Sequence, residues 1–316
     1  MTVPAPPAEP RVALSTASVY PRTCADAFAT AERLGYDGIE VMVLGDPDSQ
    51  SPERLNALAE QHSQPVVSIH APTLLLSQRV MANDPWGKVD GSIELAQAVG
   101  AEVVVVHPPF RWQKEYARDF VEGVARREAD TGIRLAVENM YPWRARSAAI
   151  QAYLPHWDPV GQDYANVTLD LSHAATAGSD VLAMARELGP RLRHVHLADG
   201  MGSFKDEHLV PGRGRQPCGA FLELVQELGF AGDVVVEVGT RRLTNDEREK
   251  DLAQALAFAR LHLGVPLAPE TKAVVGSVPV ARSGAERRAT RRAERPRRAT
   301  RRQGQGARDP RRDDPS

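Results

Sequence analysis

Thiolate chemistry is nearly absent from this 316-residue chain, whose two cysteines, Cys24 and Cys218, stand far apart and form no CxxC pair. That excludes a sulfur-based zinc site and a disulfide-stapled secreted scaffold, and it assigns both cysteines to packing. No run reaches the ~18 apolar residues of a membrane span. The first ten residues hold four prolines and no signal-peptide core. A cytoplasmic protein with no membrane partner is therefore expected. A glycine-rich phosphate loop is missing as well, because the first strand-like run leads into STASVYPRT. The doubly wound dinucleotide-binding sheet, the main rival among α/β folds, would carry such a loop there.

Positive charge is scarce over most of the chain. The net charge of −2 hides thirteen arginines against five acidic residues in 281–316, a local +8, so residues 1–280 carry −10. The arginine-rich end has no apolar periodicity and is expected to be disordered. It reads either as a tether for nucleic acid or another anionic partner, or as a solvated tail with none. The remainder, in a chain that is 42% hydrophobic, has enough apolar material for one large core or two small ones.

Between residues 11 and 262, short β-branched runs alternate with helical stretches. The runs are Val12–Ser15, Gly38–Val43, Val66–His70, Glu102–His107, Ile133–Glu138, Asn166–Asp170, Arg193–Ala198 and Val234–Val238. Their centres fall roughly 27 to 41 residues apart, the length of a strand, a helix and two loops. Runs such as VVVV at 103–106 suit strands covered on both faces. Helix ends are marked too. Thr23 precedes a helix that stops before Gly35, Ser51 and Pro52 form a cap and first turn, and Thr244 with Glu247 forms a capping box. Eight such units predict a single-domain (β/α)₈ TIM barrel over 11–264, with a flexible N-terminus over 1–10 and a disordered tail over 265–316.

Six of the eight runs end in an ionisable residue: His70, His107, Glu138, Asp170, His196 and Glu237. Strand side chains alternate, so these can point into the barrel mouth while Val137, Leu169, Val195 and Val236 face the helices. His173 follows Asp170 by three residues, and Asp206 and His208 stand two apart in KDEHLVPG. One histidine at a strand end is ordinarily a satisfied core or surface residue. So many uncompensated carboxylates and imidazoles together would cost several kcal/mol each to bury without a cation. Oxygen and imidazole donors without thiolate suit Mn²⁺, Mg²⁺, Co²⁺, Fe²⁺ or Zn²⁺. Glu40, on the second run, is expected to form a structural ion pair.

These residues resemble the xylose-isomerase-like barrels, which include sugar and sugar phosphate isomerases and epimerases together with the endonuclease IV type of AP endonuclease. The resemblance spans roughly residues 11–262. In the isomerase branch it implies one divalent metal on Glu138, Asp170, His196 and Glu237, with Glu138 and Glu237 also serving as catalytic acid and base on a sugar, sugar phosphate or related polyhydroxy compound. In the nuclease branch it implies a trinuclear zinc set that adds His70, His107, His173, Asp206 and His208. In many isomerase-like relatives the same histidines bind substrate.

Charge favours the small-molecule branch, because a duplex-gripping enzyme needs lysines and arginines around its mouth. The loop after the second run, LGDPDSQSP, carries Asp46 and Asp48 and no basic residue. Leu74–Leu76 as an apolar wedge, or the arginine tail as a charge donor, would favour nucleic acid instead. An anionic sugar needs only one or two cations, and Arg144, Arg146, Lys205 and Arg213 all follow strand ends. Relatives often carry Glu where Arg213 stands. Trp143 either stacks on a sugar ring or covers the core. A catalytically inactive ligand-binding barrel is a third reading, disfavoured by the presence of both glutamates.

Overall fold

The computed structural model describes residues 10–72, 80–145 and 148–267. Among them are ten strands: β1 (Arg11–Ser15), β2 (Ile39–Met42), β3 (Val66–His70), β4 (Val103–Val106), β5 (Arg134–Glu138), β6 (Trp143–Ala145), β7 (Ala148–Ile150), β8 (Val167–Asp170), β9 (Leu192–Leu197) and β10 (Asp233–Val236). Eight pair in parallel in the order β1-β10-β9-β8-β5-β4-β3-β2, and β1 pairs with β2 to close the ring. The eight runs expected from the sequence are these eight strands, and closure removes the open-sheet rival. β6 and β7 form a separate two-stranded antiparallel sheet in the connection from β5 to β8.

Nine α-helices accompany the strands among the described residues: α1 (Cys24–Leu34), α2 (Pro52–His62), α3 (Pro85–Val99), α4 (Lys114–Arg118), α5 (Phe120–Thr131), α6 (Leu171–Ala177), α7 (Val181–Leu188), α8 (Cys218–Glu227) and α9 (Asn245–His262). Local chemistry sets their ends. Thr23 and Asp26 form a reciprocal capping box at the start of α1, and Gly35 closes that helix at φ 80°, a conformation in which a Cβ would be strained. Ser51 caps α2 with Pro52 in its first turn. Thr244 and Glu247 box the start of α9.

Strand parity divides the interior into two environments. Val137, Leu169, Val195 and Val236 join the large apolar layer between strands and helices, with Phe28, Phe120 and Phe221 among its fully buried members. The alternate residues fill the barrel itself. Ala13, Val67 and Val235 form one small apolar group there, and Val103, Val105 and Ala136 another. Two residues beyond Val105, Ala136 and Val235, one pleat repeat nearer the C-terminal strand ends, stand His107, Glu138 and Glu237. A barrel of this kind has a packed core rather than a pore, so the chemistry sits on a solid floor.

Cys24 and Cys218 are free and buried, as packing residues should be. Val265 and Leu267 pack against the large core, so the packed chain runs past the boundary at residue 264 expected from sequence. Residues 1–9, the rest of the arginine-rich tail, Leu74–Leu76 and Arg146 lie outside the described residues. No helix among the described residues is long and apolar enough to cross a membrane.

Candidate metal centre at the barrel mouth

Three carboxylates converge on one imidazole nitrogen. His196 Nδ1, on β9, lies 3.0 Å from Glu237 Oε2, 3.1 Å from Glu138 Oε1 and 3.7 Å from Asp170 Oδ2. All four residues are buried, with one donor atom of each within 4.8 Å of the others. Three further groups overlap this one: His70 and His107 share Glu138, His173 and His208 share Asp170, and Glu40 and His194 share His196. Asp206 bridges the last two histidines at 3.2 Å and 3.0 Å. The structure thus brings all nine expected donors to one mouth.

Backbone and side-chain contacts hold this arrangement. Asn139 reaches across from β5, its amide nitrogen donating to Asp170 O at 3.0 Å and its Oδ1 accepting from Asp170 N. The carbonyl of Asn139 lies 2.9 Å from His173 Nδ1. Ser172 donates to Asp206 Oδ1 at 2.7 Å and accepts from His208 N at 3.0 Å, fastening the loop after β9 to the start of α6. Neither Asn139 nor Ser172 was singled out from sequence, although each adjoins an expected donor.

Two carboxylate oxygens decide whether a cation fits. Asp170 Oδ2 and Glu138 Oε2 are buried without a hydrogen-bond partner. His107 Nε2 comes within 2.8 Å of Glu138 Oε2 and His70 Nε2 within 3.4 Å, so Asp170 Oδ2 is the less compensated of the two. Buried acceptors without donors are costly by roughly 1–3 kcal/mol or more, and a divalent cation satisfies several at once. Donors of oxygen and imidazole type fit a hard or borderline divalent ion, so the residues present can hold one.

Packed this closely, the imidazoles and carboxylates shift one another's acidity. Burial opposes a charge on His196, but the carboxylates of Glu40, Glu237 and Glu138 overcome it and raise the imidazole well above its ordinary range. His208 is likewise pushed up to about 10, with burial opposed chiefly by Asp206. Glu138 moves the other way. Burial is outweighed by His107, His196 and His173, and the carboxyl is held well below its usual range. Glu237 is raised, because burial prevails over its imidazole neighbours.

The other expected contacts divide. Trp143 packs with Phe110, Trp112 and Tyr153, ring centroids 5.7–6.4 Å apart, so it covers a small aromatic cluster. Lys205 is exposed on the loop after β9. Arg144 belongs to β6 by its backbone. Arg213 corrects an expectation: it does not offer a free guanidinium to an anion, because Asp251 grips it at 2.8 Å and 2.5 Å and Gln254 also accepts from it. Both partners lie on α9, and their proximity to Arg213 follows from tertiary packing. Glu40 forms the expected buried ion pairing, with His194 and His196. His194 was missed, although its spacing of two from His196 places both on one strand face.

Fold and donors together define a (β/α)₈ barrel with a polyvalent His, Asp and Glu cluster at the C-terminal ends of its strands, where such barrels carry their chemistry. The chain belongs to the xylose isomerase-like TIM barrel family, whose model matches residues 28–262. An uncharacterized protein of Mycobacterium tuberculosis is 48% identical over 273 residues, 80% of this chain and 98% of that one. Fructoselysine 3-epimerase of Shigella flexneri is 23% identical over 238 residues, 68% of this chain and 84% of the relative. Among solved structures, IolI with a bound zinc atom has a similar fold, with a TM-score of 0.61 at 19% identity over 80% of this chain and 99% of that one.

Proposed function

We propose that this chain is a divalent-metal-dependent isomerase or epimerase acting on a sugar, sugar phosphate or related polyhydroxy compound. One observation carries the reading: Glu138, Asp170, His196 and Glu237 present their donors at a single buried point, and two of the four are glutamates from different strands. A bound divalent ion supplies Lewis acidity, polarising neighbouring carbonyl and hydroxyl oxygens and acidifying the hydrogen on the adjoining carbon. Glu138, kept ionised by the imidazoles around it, accepts that hydrogen as a proton. Glu237, whose burial makes it the better proton holder, returns one. Environments that push two carboxyls apart in acidity are a known basis for dividing such roles. His70, His107, His173 and His208 surround the same point, and in this reading they line the substrate pocket. The relative named as a fructoselysine 3-epimerase agrees with this class of reaction, and the zinc of IolI agrees with the donor set.

A second reading rests on its own observation. The three overlapping donor groups sharing Glu138 and Asp170 also suit a cluster of three zinc ions, which would favour phosphodiester cleavage at abasic sites. The charge of −10 over residues 1–280 weighs against a nucleic-acid substrate.

Solvent isotope exchange separates the two. With ketohexoses and their phosphates in deuterated buffer, the metal-loaded chain is expected to place deuterium on a substrate carbon, and chelation is expected to stop it. Incision of abasic duplex DNA, with no exchange into any sugar offered, would establish the nuclease reading instead.

A further inference from the structure

A charged layer that the proposed reaction does not use lies beneath the four donors. Glu40 on β2 is fully buried inside the barrel, where an ionised carboxylate costs several kcal/mol unless it is paired and hydrogen-bonded. It accepts from Ser68 Oγ at 2.8 Å and lies 2.8 Å from His194 Nε2. His196 Nε2 lies 3.2 Å from its Oε1 and 3.3 Å from its Oε2. Six other interior positions of the barrel hold small apolar residues, so filling the interior does not by itself call for a carboxylate. The charge occurs where it touches the imidazole that faces the three carboxylates.

An ionised carboxylate only accepts hydrogen bonds, so the nitrogen of His196 that faces Glu40 must carry a proton. With Nε2 committed in that way, Nδ1, the nitrogen near Glu138, Asp170 and Glu237, is the one whose proton a cation displaces and whose lone pair it takes. We propose that Glu40 is a positioning residue for the metal, fixing the tautomer and ring orientation of His196 and strengthening Nδ1 as a donor through its negative charge. The inference rests on the metal-binding reading of the four-donor cluster. Carboxylates behind ligating imidazoles are commonly worth 10- to 100-fold in metal affinity.

The test is a zinc titration of the full chain against a competing chelator. Glu40→Gln keeps the volume and one acceptor but removes the charge, and its Kd for zinc is expected to weaken by roughly 10- to 100-fold. Ser68→Ala removes a hydrogen bond to Glu40 and leaves the charge under His196, so its Kd is expected to stay near that of the wild type. A purely structural Glu40 would lower Tm in the glutamine variant and leave zinc affinity unchanged, and that result overturns the proposal. Because the glutamine variant can misfold, histidine ¹⁵N spectra of the zinc-loaded wild type provide a second readout. His196 is expected to be protonated on Nε2 only, and a proton on Nδ1 overturns the proposal without any mutation. If the wild type binds no zinc, the metal reading falls together with this one. Tight wild-type binding with an unaltered glutamine variant removes only the role of Glu40.

Discussion

Glu237→Gln folds, and its exchange of carbon-bound hydrogen with solvent falls by about 10²- to 10⁴-fold, the usual worth of a positioned acid or base. The substitution is nearly isosteric, so packing against β1 and β9 is retained. It removes a carboxyl whose ionisation is disfavoured by burial, which leaves the metal-free chain at least as stable as the wild type. Loss of rate without loss of fold is the pattern expected of chemistry rather than structure. A variant that keeps wild-type exchange would remove Glu237 from the reaction. Measurement of Tm beside the exchange rate separates this outcome from misfolding.

Metal binding is expected to release protons, with affinity tightening as pH rises. In the metal-free chain His196 lies well above the ordinary imidazole range because Glu40, Glu237 and Glu138 overcome its burial, so it is protonated at neutral pH. Its Nδ1 must lose a proton before it can donate to a cation. Each displaced proton steepens the dependence by about tenfold in apparent Kd per pH unit, by linkage. Titration calorimetry in buffers of different ionisation enthalpy counts these protons, and at least one per ion is expected at neutral pH. The same charges make an opposite contribution to the stability of the metal-free fold. His208, raised from 6.5 to about 10 beside Asp206, stabilises the folded chain fully below pH 6.5, and that stabilisation is lost as pH rises through about 10. Alkaline titration therefore lowers the Tm of the metal-free chain through this pair. A pH-independent metal affinity with no proton release would contradict the first statement, and a metal-free Tm that does not fall as pH rises from 6.5 through about 10 would contradict the second.

The parts of this account legible in the sequence are those governed by short-range chemistry. Capping at Thr23, Ser51 and Thr244 depends on residues three apart, and the eight barrel strands reveal themselves by β-branched runs at regular spacing. The six ionisable strand ends were equally readable, because alternation fixes which face each residue takes. The β6–β7 pair was not, since WRARSAAI is short and carries no glycine, proline, asparagine or aspartate turn signal. The network under His196 joins Glu40 to residues 154 and 156 positions away, and only closure of the barrel brings them together. Arg213 illustrates the same limit, because a basic residue after a strand end reads as a ligand contact until its partners on α9 are placed.

The central claim is that one divalent ion occupies the cluster of Glu138, Asp170, His196 and Glu237, and its most direct test is the metal content of the chain purified without chelator or histidine tag. The account predicts one ion per chain, with the surrounding histidines left to substrate. About three zinc ions per chain would contradict it, turning His70, His107, His173, Asp206 and His208 into ligands and the enzyme into a phosphodiesterase.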